Sequence, residues 1–527
     1  MPEPLTPTSR SAAQSILISA DARRLDRLAW IVVAALSAIG FSVRAAGNGQ
    51  SLMADELFAW FETAGRPLSG VLEQVRGGLE LSPPLYFLVA RGTQLVGDPS
   101  VTIRLPSLIS GTLLIPAVYG LCREFAGRRA GLTAAALTAT SSIGVFYSNE
   151  ARPYAMLALA SALSTLVLLR ALRSDRGGYW LAYALATIAI GYLHYFGVFV
   201  VAVQFVWAAV THRAQLKALI VSTGIAGLAV LAWVTYSGVK SDSTNMLPPF
   251  AMNWDVLEFP ARLFIGYPFF FKFSEIPGVG TTIVFAGSIA TAAVMTIIGS
   301  VRARQSAPRS DRGSQSIGSR RVTWVLAPAL ALAGPVGTLF VSLAGGSMVT
   351  VTKYSIASLP AALICAALIL TNAGRRAGVV LSVIAVGASA WSCGQLLKPE
   401  YQRPDMRAAA HWIDSNSPAN VVLINELNPA NGVRPLAPYL RTPSMDPVSI
   451  FVQGISFRTK STDYLVGEAN ARKSDLMIVF NDSPAMREAV INDPRWASKF
   501  SLVNETSGLG VASGYRVLHF KYAAVTD

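Results

Sequence analysis

The sequence predicts an α-helical membrane protein with many spanning helices, followed by a small C-terminal α/β domain. Of its 527 residues, 52% are hydrophobic and only 14% are charged, and the mean hydropathy is +0.45. Apolar runs of about the length of a membrane crossing recur along most of the chain, and shorter strand-like runs follow them. This composition excludes an ordinary soluble enzyme.

Eleven apolar runs are suited to cross a bilayer as helices, and several are near the minimum length. They begin near Leu28, Leu105, Ala130, Tyr154, Tyr179, Phe196, Ala218, Thr281, Val322, Tyr354 and Ala377. The first run comes after Arg23, Arg24 and Arg27 and could therefore be mistaken for a signal peptide. No small-residue cleavage site follows it, so we predict a retained helix. Arg104 precedes the second run and is expected to anchor it at the interface.

The net charge of +14 reflects membrane topology and not a nucleic-acid partner. Basic clusters alternate with weakly charged connections between the predicted helices, and the excess of Lys and Arg lies in those clusters. They are Arg123 to Arg129, Arg170 to Arg176, Arg213 with Lys217, Arg302 to Arg321, and Arg375 with Arg376. The positive-inside rule therefore predicts a cytoplasmic N-terminus and an extracytoplasmic C-terminus.

One further apolar stretch, Pro83 to Gly97, is predicted to lie in the outer interface without crossing the membrane. It is short, begins with two prolines and carries Arg91 and Gln94. Counting it as a crossing would place every later basic cluster outside. The first outward loop then covers residues 46–103.

The chain is predicted to have a cytoplasmic tail over residues 1–27, a transmembrane module over 28–393 and an extracytoplasmic α/β domain over 394–527. In the last part, a helix is predicted at Met406–Ile413 and strands at Val421–Ile424, Leu476–Phe480 and Tyr515–Phe520. No phosphate-binding loop or nucleophile motif occurs there, so we expect this domain to cover the site or to bind the acceptor.

Asp55 and Glu56 are the first candidates for a functional site. They follow the outer end of the first predicted helix, and ionisable groups at the membrane are costly and often functional. A carboxylate there can act as a general base on a hydroxyl acceptor. The alternative is that the pair caps a short helix.

Five short motifs occur in an order that resembles one family. They are Ala54-Asp55-Glu56, Ser82-Pro83-Pro84-Leu85-Tyr86, Arg104-Leu105-Pro106-Ser107, Tyr147-Ser148-Asn149-Glu150-Ala151-Arg152-Pro153-Tyr154 and His194-Tyr195-Phe196. The chain resembles the bacterial membrane glycosyltransferases related to protein O-mannosyltransferases and the lipid A aminoarabinose transferase, which have the GT-C fold. The similarity covers roughly residues 25–410.

The resemblance implies inverting transfer of a sugar from a polyprenyl-phosphate donor to a lipid, glycan or protein acceptor, at the outer face of the bacterial inner membrane. Asp55 matches the acid taken as the catalytic base in this family, and Glu56 in the same motif is expected to orient or bind the acceptor. The donor brings its own leaving group, so the paired carboxylates of hydrolases are not required.

The resemblance also implies a basic residue that stabilises the departing phosphate. Lys353-Tyr354 occupies the place where many relatives carry Arg-Tyr before a helix that contains Leu-Pro. Lys353 would act there as a point charge and not as a bidentate fork. The alternative is a lysine that merely extends to the membrane surface.

The remaining substrate-binding candidates lie in other outward connections. Glu150 and Arg152 either bind sugar or phosphate or pair with each other, and His194 either binds substrate or is a satisfied structural residue. Arg262 and Lys272 belong to a late outward loop that faces the donor entrance in similar folds.

No cofactor is predicted. Some enzymes of this fold use a divalent metal, and Asp55, Glu56 and Glu150 offer hard oxygen ligands, but no compact spacing requires an ion, so none is assigned. The three cysteines are far apart and offer neither a disulfide framework nor a metal site.

Two other functions share part of this pattern. A transporter or flippase for lipid-linked glycans would favour charged residues at mid-membrane depth and inverted repeats. The predicted spans contain almost no charge, which disfavours it. A ligase or polymerase of lipid-linked glycans would use the same outward site.

Overall fold

The computed structural model of the protein shows a bundle of long apolar helices with a small mixed sheet near the C-terminal end. It describes residues 7–53, 55–77, 82–174, 176–238, 249–252, 279–306, 318–347, 352–416, 421–425, 436, 438–440, 466–467, 469–509 and 514–523. The predicted site residues Arg262 and Lys272 lie outside the described residues.

Helices make up most of the described chain. In the first half they are α1 Pro7–Gly47, α2 Asp55–Thr63, α3 Leu68–Gly77, α4 Leu85–Thr93, α5 Pro99–Thr102, α6 Leu105–Thr140, α7 Ser142–Ser148, α8 Tyr154–Ser174, α9 Gly177–Leu193, α10 Val198–Thr211 and α11 Leu216–Ser237. In the second half they are α12 Val279–Ser306, α13 Gly318–Gly345, α14 Leu359–Asn372, α15 Arg375–Gln395, α16 Met406–Asn416 and α17 Pro484–Ile491.

Within the described residues, eight helical segments are long and apolar enough to cross a membrane. They are Arg23–Gly47, Pro99–Thr140, Tyr154–Ser174, Arg213–Ser237, Gly280–Val301, Val325–Gly345, Thr352–Asn372 and Arg375–Gln395. Gly177–Leu193 and Tyr195–Thr211 are apolar but shorter. The predicted multi-pass helical architecture is thus confirmed, while the number of eleven crossings stays a prediction.

The segment Leu105–Thr140 is a helical hairpin. Gly127 has φ 82° and ψ −169°, a backbone conformation that glycine adopts readily and other residues avoid. A Cβ atom on Gly131 would lie only 3.2 Å from the backbone oxygen of Tyr119, whereas a continuous helix would separate these residues by about 18 Å. The two arms therefore run in opposite directions, as predicted from two separate apolar runs.

The bundle has two chemically different ends. At one end, which we call the basic end, Arg123 and Arg128 lie 2.8 and 3.1 Å from Asp26. Helix α1 runs from Asp26 to the other end, where the buried Arg44 donates to the carbonyl oxygen of Ala139 at 3.2 Å. The chain then enters the loop that carries α2, so we call this second end the site end.

The stretch Pro83 to Gly97 forms a short helix, as its prolines and polar residues predicted. Helix α4 has nine residues and leads into the 3-10 turn Gln94–Val96, which is too short to cross a bilayer. Tyr86 and Phe87 on α4 are fully buried. The helix thus packs on the bundle, and its depth in the membrane stays a prediction.

The C-terminal part contains a four-stranded sheet with the order β1-β2-β4-β3. Its strands are β1 Val421–Asn425, β2 Asp475–Asn481, β3 Phe500–Gly508 and β4 Tyr515–Tyr522. β1 and β2 are parallel, while β4 pairs antiparallel with both β2 and β3. Three strands and the helix at Met406 were predicted, and β3 was missed. The domain boundaries themselves stay predictions.

Candidate active site

Asp55 and Glu56 begin helix α2, but their surroundings differ. The side chain of Asp55 is 33% exposed, whereas that of Glu56 is fully buried. Glu56 accepts a hydrogen bond from the backbone N–H of Met53 at 3.1 Å, which satisfies a donor at the start of the helix. Glu56 thus caps the start of α2, as the alternative interpretation of the pair predicted. Within the described part of the chain, Asp55 does not cap the helix in this way, and its side chain is partly accessible to a ligand.

Two arginines and a backbone amide hold the carboxylate of Glu56. Arg104 binds it in a bidentate manner, with Nε 2.7 Å from Oε1 and Nη2 2.8 Å from Oε2, and Nη1 of Arg403 lies 2.8 Å from Oε2. The N–H of Ala151 donates to Oε1 at 2.8 Å. Burial raises the pKa of Glu56, but Arg104, Arg403 and these hydrogen bonds outweigh burial and hold the pKa below its usual range.

The interface role expected for Arg104 is wrong. Its side chain has no exposed surface, because its guanidinium lies between Glu56 and the carbonyl oxygens that end the first helix–loop connection. Nη2 of Arg104 donates to the carbonyl oxygen of Ser51 at 3.0 Å. Arg104 therefore ties the first loop to the start of the hairpin.

Asp55 forms an ion pair with Lys353. Nζ of Lys353 lies 2.5 Å from Oδ2 of Asp55, and both side chains are partly exposed, at 26% and 33%. Burial raises the pKa of Asp55, but the charges of Lys353 and Arg152 and the hydrogen bond from Lys353 outweigh it and hold the pKa below its usual range. The two residues are thus a partly open acid–cation pair.

Lys353 is positioned by a rigid 3-10 turn, Thr352–Ser358, just before α14. Ser161 donates to the carbonyl oxygen of Ala357 at 2.7 Å, and the hydroxyl of Ser358 accepts from the N–H of Gly334 at 2.8 Å. A Cβ atom on Gly334 would lie 2.9 Å from the backbone of this turn, so only glycine fits there without a shift. Two helices of the bundle, α8 and α13, therefore hold the turn in place.

A row of aromatic rings, which we call the aromatic wall, extends from this pair and consists of Tyr147, Tyr154, His194, Phe196 and Tyr354. The Tyr354 ring stacks on Phe196 with centroids 5.1 Å apart, and His194 lies 5.4 Å from Tyr354 and 5.9 Å from Tyr154. His194 is buried, and its Nδ1 accepts from the N–H of Phe196. These contacts fix the orientation of the His194 ring within the wall.

Glu150 is a third acid of the site, and its carboxylate is less well compensated than those of Asp55 and Glu56. Its Oε2 is buried and has no hydrogen-bond partner within the described part of the chain. Burial first, and then the negative charge of Asp55, raise the pKa of Glu150 to about 7, against the smaller opposing effect of Arg403. Glu150 therefore titrates near neutral pH beside Asp55.

Arg152 is close enough to Asp55 for its charge to act on that carboxylate. Its Nη2 donates to the hydroxyl of Ser82 at 3.2 Å, and its carbonyl oxygen accepts from Ser107 at 3.0 Å. Its guanidinium lies 5.9 Å from the centroid of the Phe87 ring. Arg152 thus connects the Ser-Pro-Pro motif, the hairpin and the segment after α7.

The fold brings most of the predicted site residues together at the site end: Asp55, Glu56, Glu150, Arg152, His194, Lys353 and Tyr354. Sequence reasoning missed Arg403, which follows the last predicted span and is buried. Besides its contact with Glu56, Arg403 Nη1 donates to the carbonyl oxygen of Asn149 at 3.0 Å. No local pattern around Arg403 indicated these distant partners.

The carboxylates of the site do not form a metal-binding group in the described structure. Among the described residues, no cluster of three or more His, Cys, Asp or Glu is arranged to hold a metal ion. Asp55 pairs with Lys353, and Glu56 pairs with Arg104 and Arg403. Cations of the protein itself therefore occupy these carboxylate oxygens.

The sequence and the structure are each similar to known membrane proteins. Residues 81–237 match the family model described as dolichyl-phosphate-mannose-protein mannosyltransferase. The structure is similar to that of ArnT from Cupriavidus metallidurans in the apo state, with a TM-score of 0.57, 14% identity and coverage of 94% of this chain and 98% of that chain. A comparison with curated protein sequences gives no match.

Two further solved structures are similar to the protein. ArnT from Cupriavidus metallidurans bound to undecaprenyl phosphate has a TM-score of 0.54 at 13% identity, with coverage of 93% of this chain and 97% of that chain. The archaeal oligosaccharyltransferase AglB from Archaeoglobus fulgidus, in complex with an inhibitory peptide and a dolichol-phosphate, has a TM-score of 0.50 at 10% identity, with coverage of 86% and 69%.

The similarity to the two ArnT structures extends over 93% and 94% of this chain and shows its architecture. The protein has the GT-C fold, and the predicted resemblance to GT-C membrane glycosyltransferases is confirmed.

Proposed function

We propose that the protein is an integral-membrane glycosyltransferase that moves a sugar from a polyprenyl-phosphate donor to a hydroxyl group of a lipid, glycan or protein acceptor. The observation that carries the proposal is the ion pair of Asp55 and Lys353, a partly open acid and cation 2.5 Å apart on separate elements. The family match and the undecaprenyl phosphate bound by ArnT support this class of donor.

In the proposed reaction, Asp55 takes the proton of the acceptor hydroxyl while the acceptor oxygen attacks the anomeric carbon of the sugar. The bond between that carbon and the phosphate oxygen breaks, and its electron pair leaves with the polyprenyl phosphate. One displacement from the opposite face inverts the anomeric configuration. Lys353 stabilises the negative charge that develops on the departing phosphate.

The ion pair explains how donor binding would activate the base. With Lys353 alongside, the lowered pKa of Asp55 makes its carboxylate a weak proton acceptor. The phosphate of the donor competes with Asp55 for the same ammonium group. When Lys353 turns to the phosphate, Asp55 loses its closest cation and becomes more basic at the moment when the donor is in place.

Glu56 has a positioning role in this proposal. Its two oxygens already accept from two arginines and two backbone amides, so it offers little to an acceptor. By holding Arg104 and Arg403, it fixes the first turn of α2 and thereby the direction of Asp55. This role replaces direct acceptor contact as the function that the geometry supports for Glu56.

The other predicted residues are proposed to contact the donor. Tyr354 and His194 of the aromatic wall would line the sugar site, since ligand pockets are mostly walled by apolar and aromatic side chains. Arg152 and Glu150 flank Asp55 and would bind the phosphate or sugar hydroxyls. Arg262 and Lys272 remain proposed donor contacts on sequence grounds, as do the sugar and the acceptor themselves.

We further propose that the protein lies in the cell inner membrane with the site end outward. The basic end and the site end lie at opposite ends of the bundle, which supports a cytoplasmic N-terminus under the positive-inside rule. Residues 394–527 would then form the extracytoplasmic domain. Its helix α16 starts next to the first loop, where the N–H of Arg407 donates to the hydroxyl of Ser51 at 3.1 Å.

The proposal is tested with the purified full-length protein in lipid nanodiscs, supplied with a synthetic polyprenyl-phosphate sugar and candidate acceptors. We expect release of polyprenyl phosphate that depends on acceptor, and loss of this release in Lys353→Ala. A flippase would instead move the intact donor across proteoliposomes without cleaving it. A polymerase or ligase would transfer preassembled glycans and leave a single-sugar donor intact.

A further inference from the structure

A groove opens at the basic end of the bundle, away from Asp55 and the aromatic wall. It lies between α15 (Arg375–Gln395) and the second arm of the hairpin, and its volume is about 580 Å³. Its walls are mostly apolar and include Leu132, Val383 and Val386. This volume lies within the range of roughly 300–1,000 Å³ typical of ligand sites.

Two arginines lie at the mouth of this groove. Arg129 belongs to the hairpin and Arg375 begins α15, and both side chains are exposed. Over the described ranges, neither guanidinium forms an ion pair with a carboxylate, unlike the neighbouring Arg128, which pairs with Asp26. The groove therefore combines an apolar interior with positive charge at one end only.

Ser382 supplies a polar group inside the groove. Its hydroxyl is buried and has no hydrogen-bond partner within the described residues. Serine and threonine within helices commonly donate to a carbonyl oxygen one turn earlier, as Thr371 does to Ala367 at 2.7 Å. A buried hydroxyl without such a bond is free to donate to a polar atom of a ligand in the groove. Ser382 lies two turns, or about 10 Å, along α15 from Arg375.

Gly378, which lines the groove, packs closely against the end of α14. A Cβ atom on Gly378 would lie 2.9 Å from the carbonyl oxygen of Leu370, so glycine is needed there. Gly387, further along the same groove, has no atom within 4 Å of its Cβ position. The groove is therefore closely packed near Gly378 and has free space near Gly387.

We infer that this groove binds a membrane glycerophospholipid with an anionic headgroup. The phosphate would lie between Arg129 and Arg375, because guanidinium groups match the geometry of phosphate oxygens. The hydroxyl of Ser382 would donate to an ester carbonyl oxygen, and one acyl chain would lie along Val383 and Val386. Basic pockets between membrane helices are known to bind anionic lipid headgroups. This site is separate from the proposed catalytic reaction.

The inference is tested by native mass spectrometry of the full-length protein, titrated with dioleoylphosphatidylglycerol or with dioleoylphosphatidylcholine. We expect the anionic lipid to bind more tightly than the zwitterionic one. Replacing both Arg129 and Arg375 by alanine should weaken binding of the anionic lipid roughly tenfold or more. Arg376→Ala removes one positive charge from the position next to Arg375, outside the groove, and should leave the affinity unchanged, whereas Arg375→Ala alone should already weaken binding.

A second variant keeps both arginines and blocks the apolar part. Gly387→Phe places a ring in the free space of the groove and should reduce binding of either lipid, while thermal unfolding confirms that the variant is folded. Unchanged affinity in both the double arginine variant and Gly387→Phe would overturn the inference. Equally tight binding of polyprenyl phosphate in competition with the glycerophospholipid would overturn the choice of lipid class.

Discussion

The ammonium group of Lys353 lies 2.5 Å from the carboxylate of Asp55, although 298 positions separate the two residues in the chain. The pair joins the first turn of α2 to the 3-10 turn that precedes α14. It presents an acid and a cation side by side at the site end of the bundle. An anionic ligand that binds Lys353 must therefore compete with Asp55.

The first prediction concerns Lys353. Lys353→Ala removes the point charge that the phosphate needs, so donor affinity and transfer rate should both fall, whereas Lys353→Arg should retain much of each because it keeps the charge. Binding of a polyprenyl-phosphate sugar and its turnover are the measurements. Lys217→Ala, an exposed lysine at the basic end, serves as the control. Normal donor affinity in Lys353→Ala would refute a phosphate contact.

The second prediction concerns Glu56. Glu56→Gln leaves Arg104 and Arg403 buried without their carboxylate, which typically costs about 3–5 kcal/mol of stability. We expect a clearly lower unfolding temperature in detergent or nanodiscs. Glu73→Gln on the exposed face of α3 should change stability by no more than about 0.5 kcal/mol. If Glu56→Gln were as stable as the wild type but inactive, a direct catalytic role would be favoured.

The third prediction concerns the pH dependence of stability. The pKa of Glu150 is raised from 4.5 to about 7, so between these values the folded protein holds a proton that the unfolded chain lacks. Stability should therefore fall as the pH rises through this window. Thermal unfolding of the wild type and Glu150→Gln at a series of pH values measures the effect. The stability of Glu150→Gln should fall less steeply with pH between 4.5 and 7 than that of the wild type. Identical pH dependences of stability in the two proteins would show that the pKa of Glu150 is not raised.

The fourth prediction concerns orientation. In otherwise cysteine-free protein, a cysteine that replaces Glu73 on the exposed face of α3 in the first loop (Glu73→Cys) should react with an impermeant thiol reagent in intact cells. Arg173→Cys at the basic end should be shielded until the cells are opened. Cysteine-free protein gives the background. Labelling of position 173 from outside would reverse the proposed topology and move the Asp55 site to the cytoplasm.

The helical framework was predictable because its signals are local. Each apolar run is long enough to be recognised in the sequence, and the prolines and polar residues of Pro83 to Gly97 indicated the short helix that this stretch forms. The sequences of strands β1, β2 and β4 contain short apolar runs. Strand β3 was missed because polar residues such as Asn504 and Glu505 dominate it, and much of it is exposed, so it carries no clear period-two pattern.

The sequence indicated which residues belong to the site but not which acid pairs with which basic residue. The carboxylates and Lys353 could be selected by position and resemblance, yet nothing local indicates that Asp55 faces Lys353 while Glu56 faces Arg104. Helix packing brings these side chains together from distant parts of the chain. Arg104 begins an apolar helix, which suggested an interface anchor, and only the folded structure reveals its buried carboxylate partner.

The most direct test of the proposed chemistry is the turnover of Asp55→Asn with a defined polyprenyl-phosphate sugar and its acceptor. Asparagine keeps the shape of the side chain but cannot accept the proton, so transfer should fall by roughly 100-fold or more. Donor binding should persist, because Lys353 remains and no longer pairs with a carboxylate. Turnover near the wild-type rate would contradict the assignment of Asp55 as the base and would shift that role to Glu150.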